Sequence, residues 1–169
     1  MDTYLAVASK RDRRSYADRP IPEDVVTRIL DAGRVSGSGG NRQPWTFLVV
    51  ADDERKRELA QEVYEPGNIR GAALVVAIAT REGRSPLDVG RAMQNMMLTA
   101  WNEGVVSCPN GMRDNAQVAQ TLALEDDLRP VIVLSFGYPA RPIEPESRRP
   151  DEWSARANRK PLEEVVRRI

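Results

Sequence analysis

Ser36-Gly-Ser-Gly-Gly-Asn-Arg-Gln-Pro-Trp45 is the stretch on which the reading of this chain turns. Three glycines and two serines follow directly on a helical pattern, and a run of strand-forming residues begins at Trp45. A backbone without Cβ atoms comes close to a flat or anionic ligand and leaves its N–H groups open to it. Asn41 and Gln43 add side-chain amides that donate and accept, as recognition of a heterocycle requires. Taken alone, the same residues also suit an ordinary glycine-rich connection between helix and strand.

Outward from this loop the elements are well marked. Upstream, Tyr4 to Lys10 reads as a short helix that runs into the basic cluster Lys10, Arg11, Arg13 and Arg14. Pro22 then opens a helix whose Val25, Val26, Ile29, Leu30 and Ala32 form one apolar stripe, ending near Gly33 to Gly37. Downstream, Trp45 to Val50 is a strand candidate. Asp52 to Val63 is a mostly charged helix, expected to be a solvated face. Ala73 to Ala79, apolar on both faces, reads as a buried central strand. Ser85-Pro86-Leu87-Asp88 supplies an N-cap serine, a proline at the first helical position and an acid three residues after the cap. Val89, Ala92, Met93, Met96, Met97, Ala100 and Trp101 follow at helical spacing, so this stripe belongs in the core or at a subunit interface. Gly104 stops that helix. A further helix from Asp114 to Leu122 and a strand from Val131 to Gly137 complete the compact part.

Composition narrows the chemistry. The 169 residues suit one domain, and 25 basic against 25 acidic residues give no overall field toward nucleic acid or an anionic membrane. The longest apolar run, Ala72 to Ala79, is too short to span a bilayer. Met1 to Lys10 lacks the apolar centre of a signal peptide, so a mature start near Met1 is expected. The one cysteine, Cys108, forbids an intramolecular disulfide and fits a reducing, cytoplasmic compartment. No basic residue flanks it, which favours a packed small residue over a redox centre. Without histidine, the usual zinc sites and the Ser/His and Cys/His pairs are excluded. No metal site and no catalytic side chain are therefore nominated, and the chemistry is expected from a borrowed cofactor.

The texture changes from Tyr138 to Pro161, where prolines 139, 142, 145, 150 and 161 alternate with arginines. A structureless loop that long does not suit a compact domain. It is either a disordered tail or an arm lying on another surface, and the helix-like Pro161 to Ile169 favours the arm. The expectation is one domain over residues 1–169 whose segment 138–169 packs on a partner subunit.

Three islands, in order, resemble the nitroreductase family of FMN-dependent oxidoreductases. They are Lys10-Arg-Asp-Arg-Arg-Ser-Tyr16 with Pro20-Ile-Pro22, then Asn41-Arg-Gln-Pro-Trp45, then Ser107-Cys-Pro-Asn-Gly111. Asp88 to Leu98 with Gly104 resembles the family's central helix. Arg129-Pro-Val131 to Gly137-Tyr-Pro139 and Arg159-Lys-Pro-Leu-Glu-Glu-Val-Val166 resemble its closing strand and tail.

The resemblance implies an α+β fold, a mainly antiparallel sheet flanked by helices, in an entwined homodimer with FMN in the interface. It implies that Lys10, Arg11, Arg14 and Arg159 bind FMN. Lys10, Arg11 and Arg159 would serve the phosphate or ribityl chain, and Arg14 the pyrimidine edge. A solvated helix end is the plainer reading of the basic cluster alone. Ser38, Gly39 and Asn41 would come to the flavin ring from the partner, and Gln43 is a further cofactor-binding candidate. Pro109, Asn110 and Gly111 would pass the other face or edge, with a backbone N–H aimed at N5; a simple Pro-Asn-Gly turn is the alternative.

The implied activity is ping-pong hydride transfer from NADH or NADPH, through FMN, to nitroaromatics, quinones or enones. A flavin carrier, a sensor or a flavin-consuming enzyme without nicotinamide turnover is the alternative. A third option is a colourless structural protein. Asp12 stands where the family commonly has serine, and Gly39 and Gly40 where a hydroxyl residue is frequent. The short spans from Ala79 to Asp88 and from Gly104 to Val131 leave no room for a helical roof, so an open flavin face is expected. No Gly-x-Gly-x-x-Gly is present to choose the nicotinamide, and a deazaflavin donor stays open.

Overall fold

The computed structural model describes residues 1–81 and 86–169, so the expected N-cap at Ser85 lies outside the described residues. The chain divides into two compact units, one of Met1–Lys10 with Ile143–Ile169, the other of Arg11–Pro142.

The larger unit is built on a sheet of four antiparallel strands, β1 (Trp45–Val49), β2 (Leu74–Arg81), β3 (Val106–Asn110) and β4 (Leu128–Gly137), in the order β1-β2-β4-β3. Central β2 is buried from Leu74 to Thr80 and apolar on both faces, as its sequence dictates. Its two sets of side chains feed two cores. Leu74, Val76 and Ile78 join Leu134 and Phe136 under α2 (Glu23–Arg34) and α5 (Pro86–Asn102). Val75 and Ala77 join Val133 on the other face, under α3 (Asp53–Gln61), α4 (Pro66–Arg70) and α6 (Asn115–Thr121). Gly33 of α2 lies against Met96 of α5 and Phe47 of β1. A Cβ there would stand 2.8 Å from both Met96 Sδ and Phe47 Cζ.

Local chemistry fixes the helix ends. Asp52 accepts from the Arg55 N–H at 2.7 Å, and Asp114 from the Ala116 N–H at 2.8 Å, satisfying donors the helices leave open. The methionines of α5 belong to the core, with Met96 and Met97 buried and Met93 packed against them. α3 is less solvated than its charge suggests, since Leu59 and Ala60 are fully buried. Among the described residues, Asn41, Gln43, Ala123 and Asn158 take positive φ without being glycine.

In the smaller unit α1 (Thr3–Ser9) packs on α7 (Pro150–Arg156), and α8 (Leu162–Val165) is a single turn. The supposed loop thus holds a helix, started by Pro150 at its first turn. Trp153 anchors it, donating from Nε1 to the Pro145 carbonyl at 2.8 Å, with the Arg148 guanidinium 5.1 Å from its ring centroid. Among the described residues no helix is long and apolar enough to cross a membrane.

Candidate functional site

The basic segment after α1 is extended and stitched to the sheet. Arg13 N–H donates to the Ser107 carbonyl at 3.1 Å, Ala17 N–H to Tyr138 at 2.8 Å, and Ala140 N–H to Ser15 at 3.1 Å. Tyr16 is its anchor. Its hydroxyl lies 2.7 Å from Ser135 Oγ, and its ring lies flat against Gly137, where a Cβ would come within 2.8 Å. Burial first of all pushes the Tyr16 pKa up to about 12, against the opposing effect of the Ser135 hydrogen bond.

This anchoring holds Asp12, Arg13, Arg14 and Ser15 along one wall of a cavity of about 660 Å³, whose other wall is Pro139, Ala140, Arg141 and Pro142. Three arginines and one acidic residue, Asp12, thus line it. The Arg14 pKa is raised from its ordinary value, first of all by its interaction with the neighbouring Cys108 side chain and then by the charges of Asp12 and Glu65. Cys108 therefore has a basic neighbour after all, one that only the fold supplies; its thiol is 1% exposed.

Of the four cations expected at FMN, Arg14, the one expected at the pyrimidine edge, lines this cavity. Arg11 lies in the same unit, whereas Lys10 (the C-cap of α1) and Arg159 lie in the smaller one. Arg13 and Arg141 line the cavity although the sequence did not nominate them. Arg141 sits among prolines in the segment read as an arm, and nothing local tells it from its neighbours.

The Ser36–Gln43 loop is exposed from Gly39 to Gln43 and bends through a short 3-10 turn, Gly39–Asn41. Gly40, Asn41 and Gln43 take φ of 58°, 53° and 47°. Gln43 N–H donates to Ser38 Oγ at 2.9 Å. Gly39 N–H donates to the Asp88 carboxylate at 3.1 and 3.3 Å, so this amide is engaged within the protein rather than left open.

Pro109 and Asn110 lie in edge strand β3, not in a turn, and a proline is tolerated there because an edge has an unpaired side. The Asn110 side chain is engaged internally. Its Nδ2 donates to Cys108 O at 3.0 Å, Val133 O at 3.1 Å and Ser135 Oγ at 3.0 Å, while Oδ1 accepts from Asn68 at 2.8 Å. Its backbone is in register with Val133 of β4. Gly111 lies under the Tyr64 ring, 3.1 Å from where its Cβ would be. Ser107 Oγ is buried without a partner.

Arginines around a sizeable cavity suit a phosphate ester, and a loop lacking side chains at Gly39 and Gly40 suits a flat ring. The donor set therefore fits FMN, with the Asp12 carboxylate in the same lining opposing it.

A family model for the nitroreductase family matches residues 7–82 and 66–138. The chain belongs to the nitroreductase family. It is 26% identical over 154 residues, 83% of this chain and 78% of the relative, to a Methanothermobacter thermautotrophicus protein named "Putative NADH dehydrogenase/NAD(P)H nitroreductase". Its fold is that of a Clostridium difficile nitroreductase family protein, with a TM-score of 0.83 and 24% identity over 99% of this chain and 98% of that one. It is likewise that of an FMN-dependent nitroreductase from a second Clostridium difficile strain, at TM-score 0.76 and 22% identity, covering 85% and 90% of the two chains.

Proposed function

We propose that this protein is an FMN-dependent oxidoreductase that uses NADH or NADPH to reduce electron-poor small molecules such as nitroaromatics, quinones or enones. The observation that carries this reading is the cavity bounded by Arg13, Arg14 and Arg141 in a chain of this family. FMN, when bound, supplies the two-electron chemistry that passes hydride from nicotinamide to acceptor. The chain's own residues bind and orient. Arg14 offsets negative charge at the pyrimidine edge, with Lys10, Arg11 and Arg159 as cations for the phosphate or ribityl chain. Ser38, Gly39, Asn41 and Gln43 present a thin polar surface to the ring. Pro109, Asn110 and Gly111 offer backbone only. No side-chain acid is needed, and the short connections leave the ring accessible to bulky acceptors.

We further propose a homodimer in the cytoplasm, in which segment 138–169 packs on the partner and the Ser36–Gln43 loop reaches the partner's flavin. Exposed Leu162, Val165 and Val166 in the terminal segment support the arm. Asp12 among the arginines favours one second reading, a flavin binder without nicotinamide turnover, because a carboxylate in that wall weakens the hold on a dianion.

Anaerobic addition of NADH or NADPH to the FMN-loaded protein separates the two. Bleaching of the flavin, followed by recovery on adding a quinone, is expected. Persistent yellow colour with both donors would overturn the nicotinamide half of the proposal.

A further inference from the structure

One face of α5 runs under the glycine-serine loop. Asp88, Arg91 and Asn95 stand at i, i+3 and i+7, so they share that face. Each meets a different residue of the loop. Asn95 Nδ2 donates to Ser36 Oγ at 2.7 Å, and that hydroxyl donates to Ala32 O at 2.9 Å, closing the end of α2. The Arg91 guanidinium fills the space a side chain at Gly37 would take, 2.5 Å from the Cβ position. The Asp88 carboxylate, its side chain 15% exposed and 3.6 Å from Arg91, accepts the Gly39 N–H.

Immediately beyond these contacts come the left-handed residues Gly40, Asn41 and Gln43. Non-glycine residues there cost about 1 kcal/mol or more each, and such a conformation persists where its surroundings impose it. The adjacent face of α5 is locked in the core by Val89, Ala92 and Met96. The helix therefore carries the rigidity of the core to an exposed loop.

We infer that Asp88, with Arg91 and Asn95, is a positioning residue that holds the Ser36–Gln43 backbone in its ligand-ready shape; the ligand, though not the shaping, rests on the FMN reading above. Asp88 also sits in the first turn of α5, where any carboxylate helps the helix. Asp88→Asn and Asp88→Ala separate the two roles, since Asn retains an acceptor for Gly39.

Two readouts are used on the full chain. Hydrogen exchange of the Gly39 amide, followed by NMR without flavin, is expected to speed up about tenfold in Asp88→Ala and less in Asp88→Asn, as for loss of a charge-assisted bond. FMN affinity, followed by quenching of flavin fluorescence, is expected to weaken about tenfold in Asp88→Ala. Gly37→Ala, which displaces the Arg91 guanidinium, is expected to match Arg91→Met in affinity, with the double variant no weaker than either single one. Unchanged Gly39 exchange in Asp88→Ala would overturn the inference. So would faster exchange with unchanged affinity, or Gly37→Ala and Arg91→Met effects that multiply. Wild-type protein that fails to quench FMN would overturn the functional reading, while the exchange rates still decide whether Asp88 shapes the loop.

Discussion

Strand β3 and the Ser36–Gln43 loop were both read as flavin contacts, yet they are held in opposite ways. The strand is buried, and its polar groups are tied into the interior through Asn68, Asn110, Ser135 and Tyr16. The loop is exposed, and side chains of α5 hold it from outside the core. A change in the strand therefore acts on folding first and on a ligand second. A change in the loop acts in the reverse order.

The largest effect is expected at Asn110. Asn110→Ala removes four hydrogen bonds and strands Asn68 and Val133, at a cost of about 3–4 kcal/mol. Urea unfolding measures it, and a loss no larger than that of a loop variant would break the contrast.

Next comes pH. An unfolded chain ionises Tyr16 near the ordinary 10.0, whereas burial holds the folded group near 12. The stabilisation is complete below pH 10 and is lost as pH rises toward 12, by about 3 kcal/mol in all. Tyr16→Phe should flatten that slope in unfolding curves taken across this range.

Ser107 gives the opposite sign. Its buried hydroxyl has no partner, so Ser107→Ala should stabilise the protein by about 1 kcal/mol in thermal unfolding. A loss instead would mean the hydroxyl is satisfied.

The smallest effect belongs to the loop. Asn41→Gly suits the positive φ but loosens the unfolded chain, leaving stability within about 0.5 kcal/mol of the parent. FMN affinity should move more than stability does.

The sequence showed the parts of the fold that follow a local period. The stripe of α5 and the doubly apolar β2 were legible because each satisfies its own spacing. β3 was not, because Val-Ser-Cys-Pro-Asn looks like a turn until Asn68 and Ser135, distant in the chain, are brought against it. α4, five residues long, has too few turns to show a period, and α7 was masked by prolines that in fact start it. In the site, Arg14 was legible from the basic cluster, but its proximity to Cys108, 94 positions further on, was not. Asp88 drew notice only as a helix-end acid, since its partner Gly39 lies 49 positions away.

The central claim is that the arginine-lined cavity takes the phosphate of FMN. Titrating the purified protein with FMN and, separately, with riboflavin while following flavin fluorescence tests it most directly. The expected result is saturable quenching by FMN and binding of riboflavin at least about tenfold weaker, with Arg141→Ala narrowing the gap. Equal affinity for the two flavins, or quenching by neither, would contradict it.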